Sequence, residues 1–239
     1  GVGAAVGEAE DGIVGDLVAM ASPPKAEAGH QILGSGDDVS RSTIVIDSGV
    51  RRHVISAEAP VDENHQTSDV EQILSQLPEG TDTLLPLEIM RKIPSALRDL
   101  SGQQTVTTFN GQIIDIEPGA DMDSMYGMAF DIGTTSIVGN LINLATGEQL
   151  AAVGSINPQT AYGGDLMSRI AYAQFDSKKL AILRGRVLAT INDFIEEACE
   201  KANIDGDHIY KIVIVGNTCM HHIFLGIDVS YVGLAPYAP

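Results

Sequence analysis

The chain has 239 residues, 32 of them acidic and 14 basic, for a formal charge of −18, and 44% are hydrophobic but only 5% aromatic. That length admits one or two domains with a sizeable core, and the acidic balance argues against a nucleic-acid binder. No run approaches the roughly 20 apolar residues of a membrane span, two cysteines cannot build a disulfide framework or a four-thiolate metal site, and no basic segment leads into an apolar run as in a secretory leader; the reading is a soluble, cytoplasmic protein.

Charge divides the chain. Residues 1–124 carry 21 acidic and 7 basic residues, a net of −14, and residues 125–239 carry 11 and 7, a net of −4. A domain boundary is expected near Asp121–Met125. Residues 1–42 are rich in Gly, Ala and Ser, with Pro23-Pro24 and the turn-forming run Gly34-Ser35-Gly36-Asp37-Asp38, and read as a linker. Residues 43–60 read as strand, turn and strand, with β-branched Thr43–Ile46, a turn at Asp47-Ser48-Gly49, and Arg52–Ile55. Thr67-Ser68-Asp69 caps a helix through Val70, Ile73, Leu74 and Leu77, ended by Pro78-Glu79-Gly80. A second helix, Leu87–Leu97, follows Pro86. Gln104–Phe109 and Gln112–Glu117 flank Asn110-Gly111, a pair suited to the positive φ values of a tight hairpin turn.

From Tyr126 the pattern changes. Strands are expected at Tyr126–Ile132, Ser136–Leu144 and Gln149–Ser155, joined by Gly133-Thr134-Thr135 and Thr146-Gly147. Asp165 caps a helix to about Phe175. A long helix, Ser177–Ala202, carries Leu180, Leu183, Val187, Ile191, Phe194 and Ile195 on one stripe, with any break at Gly185. Ile212–Val215 is a fully apolar strand, and Gly216-Asn217 turns into a helix from Met220. The fold class is therefore α/β, a small α+β region followed by a second unit of order βββαα–βα.

The chemistry concentrates at Met128–Ser136. An acid closes an apolar strand, and a Gly-Thr-Thr turn leads to the next strand. Gly133 lets backbone N–H groups approach an anion, and Thr134 and Thr135 offer hydroxyls and N–H groups to phosphate oxygens. Asp131 suits hydrated Mg²⁺, which binds few carboxylates and keeps waters. Gly216, Asn217 and Thr218 follow an apolar strand, where open α/β sheets gather ligands, and are further phosphate-binding candidates. The competing reading is an ordinary hairpin with a polar turn. Asn157 and Gln159 flank Pro158 and serve either turn satisfaction or contact with a cleft or partner; Asp165 is either an N-cap or such a contact. Adjacent His221 and His222 cannot face one side of a helix, and Cys199 and Cys219 read as small buried residues.

The Asp131–Thr135 segment resembles the first phosphate loop of the actin, sugar kinase and Hsp70 superfamily. Together with Asn157-Pro158-Gln159, Tyr162-Gly163-Gly164-Asp165, Ser168-Arg169-Ile170, Gly216-Asn217-Thr218, Met220-His221-His222 and Gly233–Tyr237, it is similar to the reductive activators of corrinoid proteins. The resemblance implies a linker or remnant of a ferredoxin-like domain at 1–42, an α+β middle domain at 43–122 and the first ribonuclease-H-type subdomain of an ATPase-type domain at 123–239. It implies ATP-dependent reduction of Co(II) corrinoid to Co(I), ATP and Mg as cofactors, and a corrinoid protein as partner. Family members carry a [2Fe–2S] cluster, but its C-x₄-C-x₂-C ligand spacing is absent here. The chain also stops at Pro239, after half of the ATPase-type fold. A fragment or degenerate gene product is expected, with little autonomous hydrolysis and an apolar face open to dimerisation. The alternatives are a small-molecule kinase of the same superfamily and a non-enzymatic module that docks a corrinoid protein.

Overall fold

The computed structural model describes residues 47–57 and 67–237. The expected linker at 1–42, the expected strand at 43–46 and residues 58–66 lie outside the described residues. The described chain divides into two units, one of residues 47–125 with 144–146, the other of 126–143 with 147–237. Among the described residues, no helix is long and apolar enough to cross a membrane.

The smaller unit is a three-stranded antiparallel sheet with two helices. Strand β1 is Val50–Ile55, β2 Gln104–Phe109 and β3 Gln112–Pro118, in the order β1-β2-β3. The β2–β3 turn is the expected Asn110-Gly111, with φ of 50° and 88°. Helix α1, Asp69–Leu74, starts at a reciprocal cap between Ser68 and Glu71. It ends three residues before Leu77. Helix α2, Leu87–Leu97, places Ile89, Ile93 and Leu97 at four-residue spacing, and all are buried. They form one core with Ile73, Val106, Ile113 and Ile116. The central strand β2 buries Thr105, Thr107 and Thr108 as well as Val106, since neither of its faces meets solvent. The buried Arg52 guanidinium bonds Ser124 O and Glu117, with Asp121 3.6 Å away.

The larger unit is built on a mixed four-stranded sheet. Strands β4 (Tyr126–Ile132), β5 (Ser136–Asn143) and β6 (Gln149–Ile156) form an antiparallel meander, and β7 (Ile209–Gly216) lies parallel to β4, giving the order β6-β5-β4-β7. The crossover from β6 to β7 runs through a 3₁₀ turn at Pro158–Ala161, helix α3 (Leu166–Ala173) and helix α4 (Ser177–Ala202). Strand β7 begins at Ile209, before the apolar run expected from Ile212. Helix α5 spans Thr218–Leu225, so Cys219, expected in a turn, sits in its first turn. The fold class is α/β, as expected.

Helix α4 is continuous through Gly185. Asp176 caps it, accepting from the N–H groups of Lys178 and Lys179, and Asn203 ends it in the left-handed conformation. The whole expected stripe from Leu180 to Ile195 is buried. It packs with Phe130, Ile132, Ile137, Leu141 and Val153 from one sheet face into a single core. Each fully buried aliphatic side chain of this kind is worth about 1.5–3 kcal/mol. Two adjacent residues of α4 also reach neighbouring elements: Leu183 O accepts from Gln159 Nε2 at 2.9 Å, and Arg184 Nε donates to Phe224 O, in the last turn of α5, at 3.1 Å.

Candidate functional site

The site candidates gather at the carboxyl ends of the two parallel strands. In the β4–β7 pairing Asp131 lies opposite Val215 and Ile132 opposite Gly216, so the turns that leave both strands emerge side by side. The first turn, residues 133–135, runs to β5; the second enters α5 through its N-cap Asn217. Asn217 Oδ1 accepts from Met220 N at 3.0 Å, and its Nδ2 donates to Thr134 Oγ1 at 3.2 Å. Residues 131–135 and 216–218 are therefore brought together. Side chains on the core face of β4 alternate with those on the other face, and Asp131 falls on the exposed side next to buried Phe130 and Ile132.

Gly133 has a steric reason to be glycine. A Cβ there would sit 2.7 Å from Ser136 O, a backbone atom that cannot rotate away. The three carbonyls of the turn are all held by the protein. Gly133 O accepts from Asn157 Nδ2 at 2.8 Å, Thr134 O from Arg169 Nη2, and Thr135 O from Asn157 N at 2.8 Å. Among the described residues, no acceptor pairs with the N–H groups of Thr134 and Thr135.

Asn157 and Gln159 carried two readings, turn satisfaction or contact with a cleft or partner, and their hydrogen bonds here are those of the first. Both are fully buried. Asn157 holds the turn as described and caps the 3₁₀ turn through Gln159 N at 2.9 Å, while Gln159 bridges Leu183 O and Arg169 Nη1. Their amides satisfy protein groups, so they support the turn from beneath. Asp165 is exposed and is the N-cap of α3, in a reciprocal cap with Ser168. Hydrogen bonds from Ser168 hold its carboxyl below the usual aspartate range. Thr218 is exposed at the start of α5, and its carbonyl pairs with His222 Nδ1 at 2.7 Å.

Sequence reasoning did not single out Arg169 as a site residue. It is 0% exposed. Besides Thr134 O, its guanidinium donates from Nε to Gly163 O at 2.8 Å and from Nη1 to Gln159 Oε1 at 3.2 Å, with Met220 Sδ at 3.5 Å. These acceptors are all neutral. Burial pulls its pKa below the ordinary arginine value, and the charges of Cys219 and Asp165 oppose that shift. The sequence signals were its place in the Ser168-Arg169-Ile170 match and the nearby Gly163, where a Cβ would lie 2.7 Å from the Arg169 backbone N.

The residues present do not fit an iron–sulfur cluster. Cys199 and Cys219 are the chain's two cysteines, and neither thiol is activated. Burial pushes Cys219 up to about 11 despite the Arg169 charge, and burial with Asp205 raises Cys199. An oxyanion could be held by the N–H groups of Thr134 and Thr135, which have no partner among the described residues, by the threonine hydroxyls and by the nearby N-terminus of α5; Asp131 is the carboxylate available to a hydrated cation.

The fold and these paired turns define an α/β protein with its polar groups gathered at parallel strand ends. The profile of the RACo linker region matches residues 39–123 and that of the RACo middle region residues 126–239. The chain belongs to the RACo family, the reductive activators of corrinoid proteins. The family's middle-region profile thus falls on the second unit, and its linker-region profile on the segment expected as a middle domain. The corrinoid activation enzyme RamQ of Eubacterium limosum is 36% identical over 174 residues, which cover 72% of this chain and 29% of that protein. A solved reductive activator for a corrinoid, iron–sulfur protein superposes with a TM-score of 0.70 at 29% identity, over 83% of this chain and 32% of the other. The chain spans about a third of the length of these relatives.

Proposed function

We propose that this chain supplies a nucleotide-phosphate site to an ATP-dependent activator that returns Co(II) corrinoid to Co(I) on a corrinoid protein. The observation that carries the reading is the Gly133–Thr135 turn, whose carbonyls are all bonded inward while the N–H groups of Thr134 and Thr135 are left for an outside acceptor. In such a site backbone and threonine donors meet phosphate oxygens, and Asp131 holds the hydrated Mg²⁺ that accompanies them. The cobalt reduction takes one electron from a low-potential carrier outside this chain. The family match supports the corrinoid partner, and its chemistry belongs to the bound metals, which the protein positions.

The test is calorimetric titration of the chain with Mg-ATP, wild type against Asp131→Ala. Saturable binding is expected, weakened about tenfold or more in the variant, while the melting temperature stays near wild type because Asp131 is exposed at a strand end. Equal affinity in the two proteins would refute the assignment. Phosphoryl transfer from ATP to a sugar or carboxylic acid would establish the kinase reading instead, and corrinoid-protein binding without any nucleotide response would leave the docking module.

A further inference from the structure

We propose that Arg169 is the positioning residue that presents the turn at 133–135 to its anion. The inference rests on the phosphate reading for its ligand, but its geometry is independent of it. The two ends of a trans peptide point opposite ways: where the carbonyl is drawn inward, the following N–H faces outward. Arg169 Nη2 draws in Thr134 O and thereby turns out the N–H of Thr135; Asn157 Nδ2 draws in Gly133 O and turns out the N–H of Thr134. Consecutive outward N–H groups make an anion-binding concavity. Asn157 is short and belongs to the adjoining loop. Arg169 belongs to α3 and joins three separate segments through one rigid plane: Thr134 in the turn, Gln159 in the 3₁₀ turn and Gly163 before α3.

Lysine cannot replace this fork. It offers a point charge on a flexible stem, whereas the guanidinium fixes its donors in one plane. Burying a cation among neutral acceptors is costly, and an apolar side chain of similar volume would pack the same space more cheaply. What the arginine adds is a fixed turn geometry, backed by a positive charge behind the anion position. Arg169 never touches the ligand, because its nitrogens are occupied by the protein and it has no exposed surface.

The experiment uses backbone and arginine side-chain NMR of the 239-residue chain, wild type and Arg169→Lys, titrated with inorganic tripolyphosphate. In the wild type the Arg169 Nε–H resonance is expected to be protected from solvent exchange and to shift as tripolyphosphate saturates the amides of Thr134 and Thr135. In Arg169→Lys the affinity should fall about tenfold or more, and those amides should already be displaced before any ligand is added. Wild-type affinity and undisturbed turn amides in the variant would overturn the proposal. If wild-type protein shows no saturable response, the phosphate reading falls, and displacement of the turn amides in the free variant alone decides the positioning role. If the variant does not fold, the wild-type resonance decides: free exchange of the Nε–H, or no shift on saturation, refutes the inference.

Discussion

Adding one methyl group at two glycines of the larger unit should change its stability in opposite directions. At Gly133 a Cβ would lie 2.7 Å from Ser136 O and within 3.8 Å of Ser136 C and N. Ordinary carbon–oxygen contact is about 3.3 Å or more, so the turn must open by about half an ångström. The obstructing atoms are backbone, next to the Ile132–Ile137 pair that ends the β4–β5 ladder, and no side-chain rotation relieves them. Overpacking of this kind costs about 1–3 kcal/mol, which in a chain of this size lowers the melting temperature by several degrees, about 2–4 °C per kcal/mol. Gly185 lies in the interior of α4, about a third of the way along, with nothing within 4 Å of its Cβ position beyond the helix's own backbone. Alanine there removes backbone freedom from the unfolded chain and should add about 0.4–1 kcal/mol. Thermal unfolding followed by circular dichroism reads both signs, and Mg-ATP titration should show weakened binding in Gly133→Ala with no change in Gly185→Ala. A Gly133→Ala protein that melts and binds like wild type would refute the claim that this turn is sterically fixed and tied to the site.

The smaller unit should respond to acid through Asp121. Burial favours its neutral form, but hydrogen bonds from Ser124 and the backbone of Asp123 and Ser124, together with Arg52, outweigh that and leave its pKa at about 2, down from 3.8. Its charged form is the one the fold prefers, so its contribution is complete above pH 4 and is lost as pH falls through 2. Urea midpoints of wild type and Asp121→Asn should therefore differ at pH 5 and converge towards pH 2; a gap independent of pH would contradict the assignment. Cys219 is buried with its pKa near 11, so a thiol reagent at pH 7 should label the half-buried Cys199 first and reach Cys219 only on unfolding. Equal labelling rates would show that the first turn of α5 opens readily.

Where local chemistry decides, the sequence carried the structure. Helices at Leu87–Leu97 and Ser177–Ala202 have the expected bounds because an apolar period and a proline or an aspartate cap mark each one, and the strand at Tyr126–Ile132 because its apolar run ends at Gly133. Asn110-Gly111 announced its own turn. Strand β7 starts early because Tyr210 and Lys211 interrupt the apolar run while the backbone continues to pair with β4. Helix α1 stops at Leu74 although Leu77 keeps the spacing and is buried in the same core. The site was legible in part. Its two turns could be placed in advance, since each is a Gly-polar sequence directly after an apolar strand. The support beneath them could not. Asn157, Gln159 and Arg169 are polar types that ordinarily face water, and nothing local says that their partners are backbone carbonyls 24 to 35 residues distant.

The grip of α4 on its neighbours ties the two turns to a common carrier. Leu183 anchors the 3₁₀ segment that underlies the first turn, and Arg184 anchors the far end of the helix whose start forms the second. A helix of 26 residues, about 39 Å from end to end, behaves as a stiff beam. With those anchors on neighbouring residues of one helix, and Asn217 bonded to Thr134, both turns are held by the same rigid element.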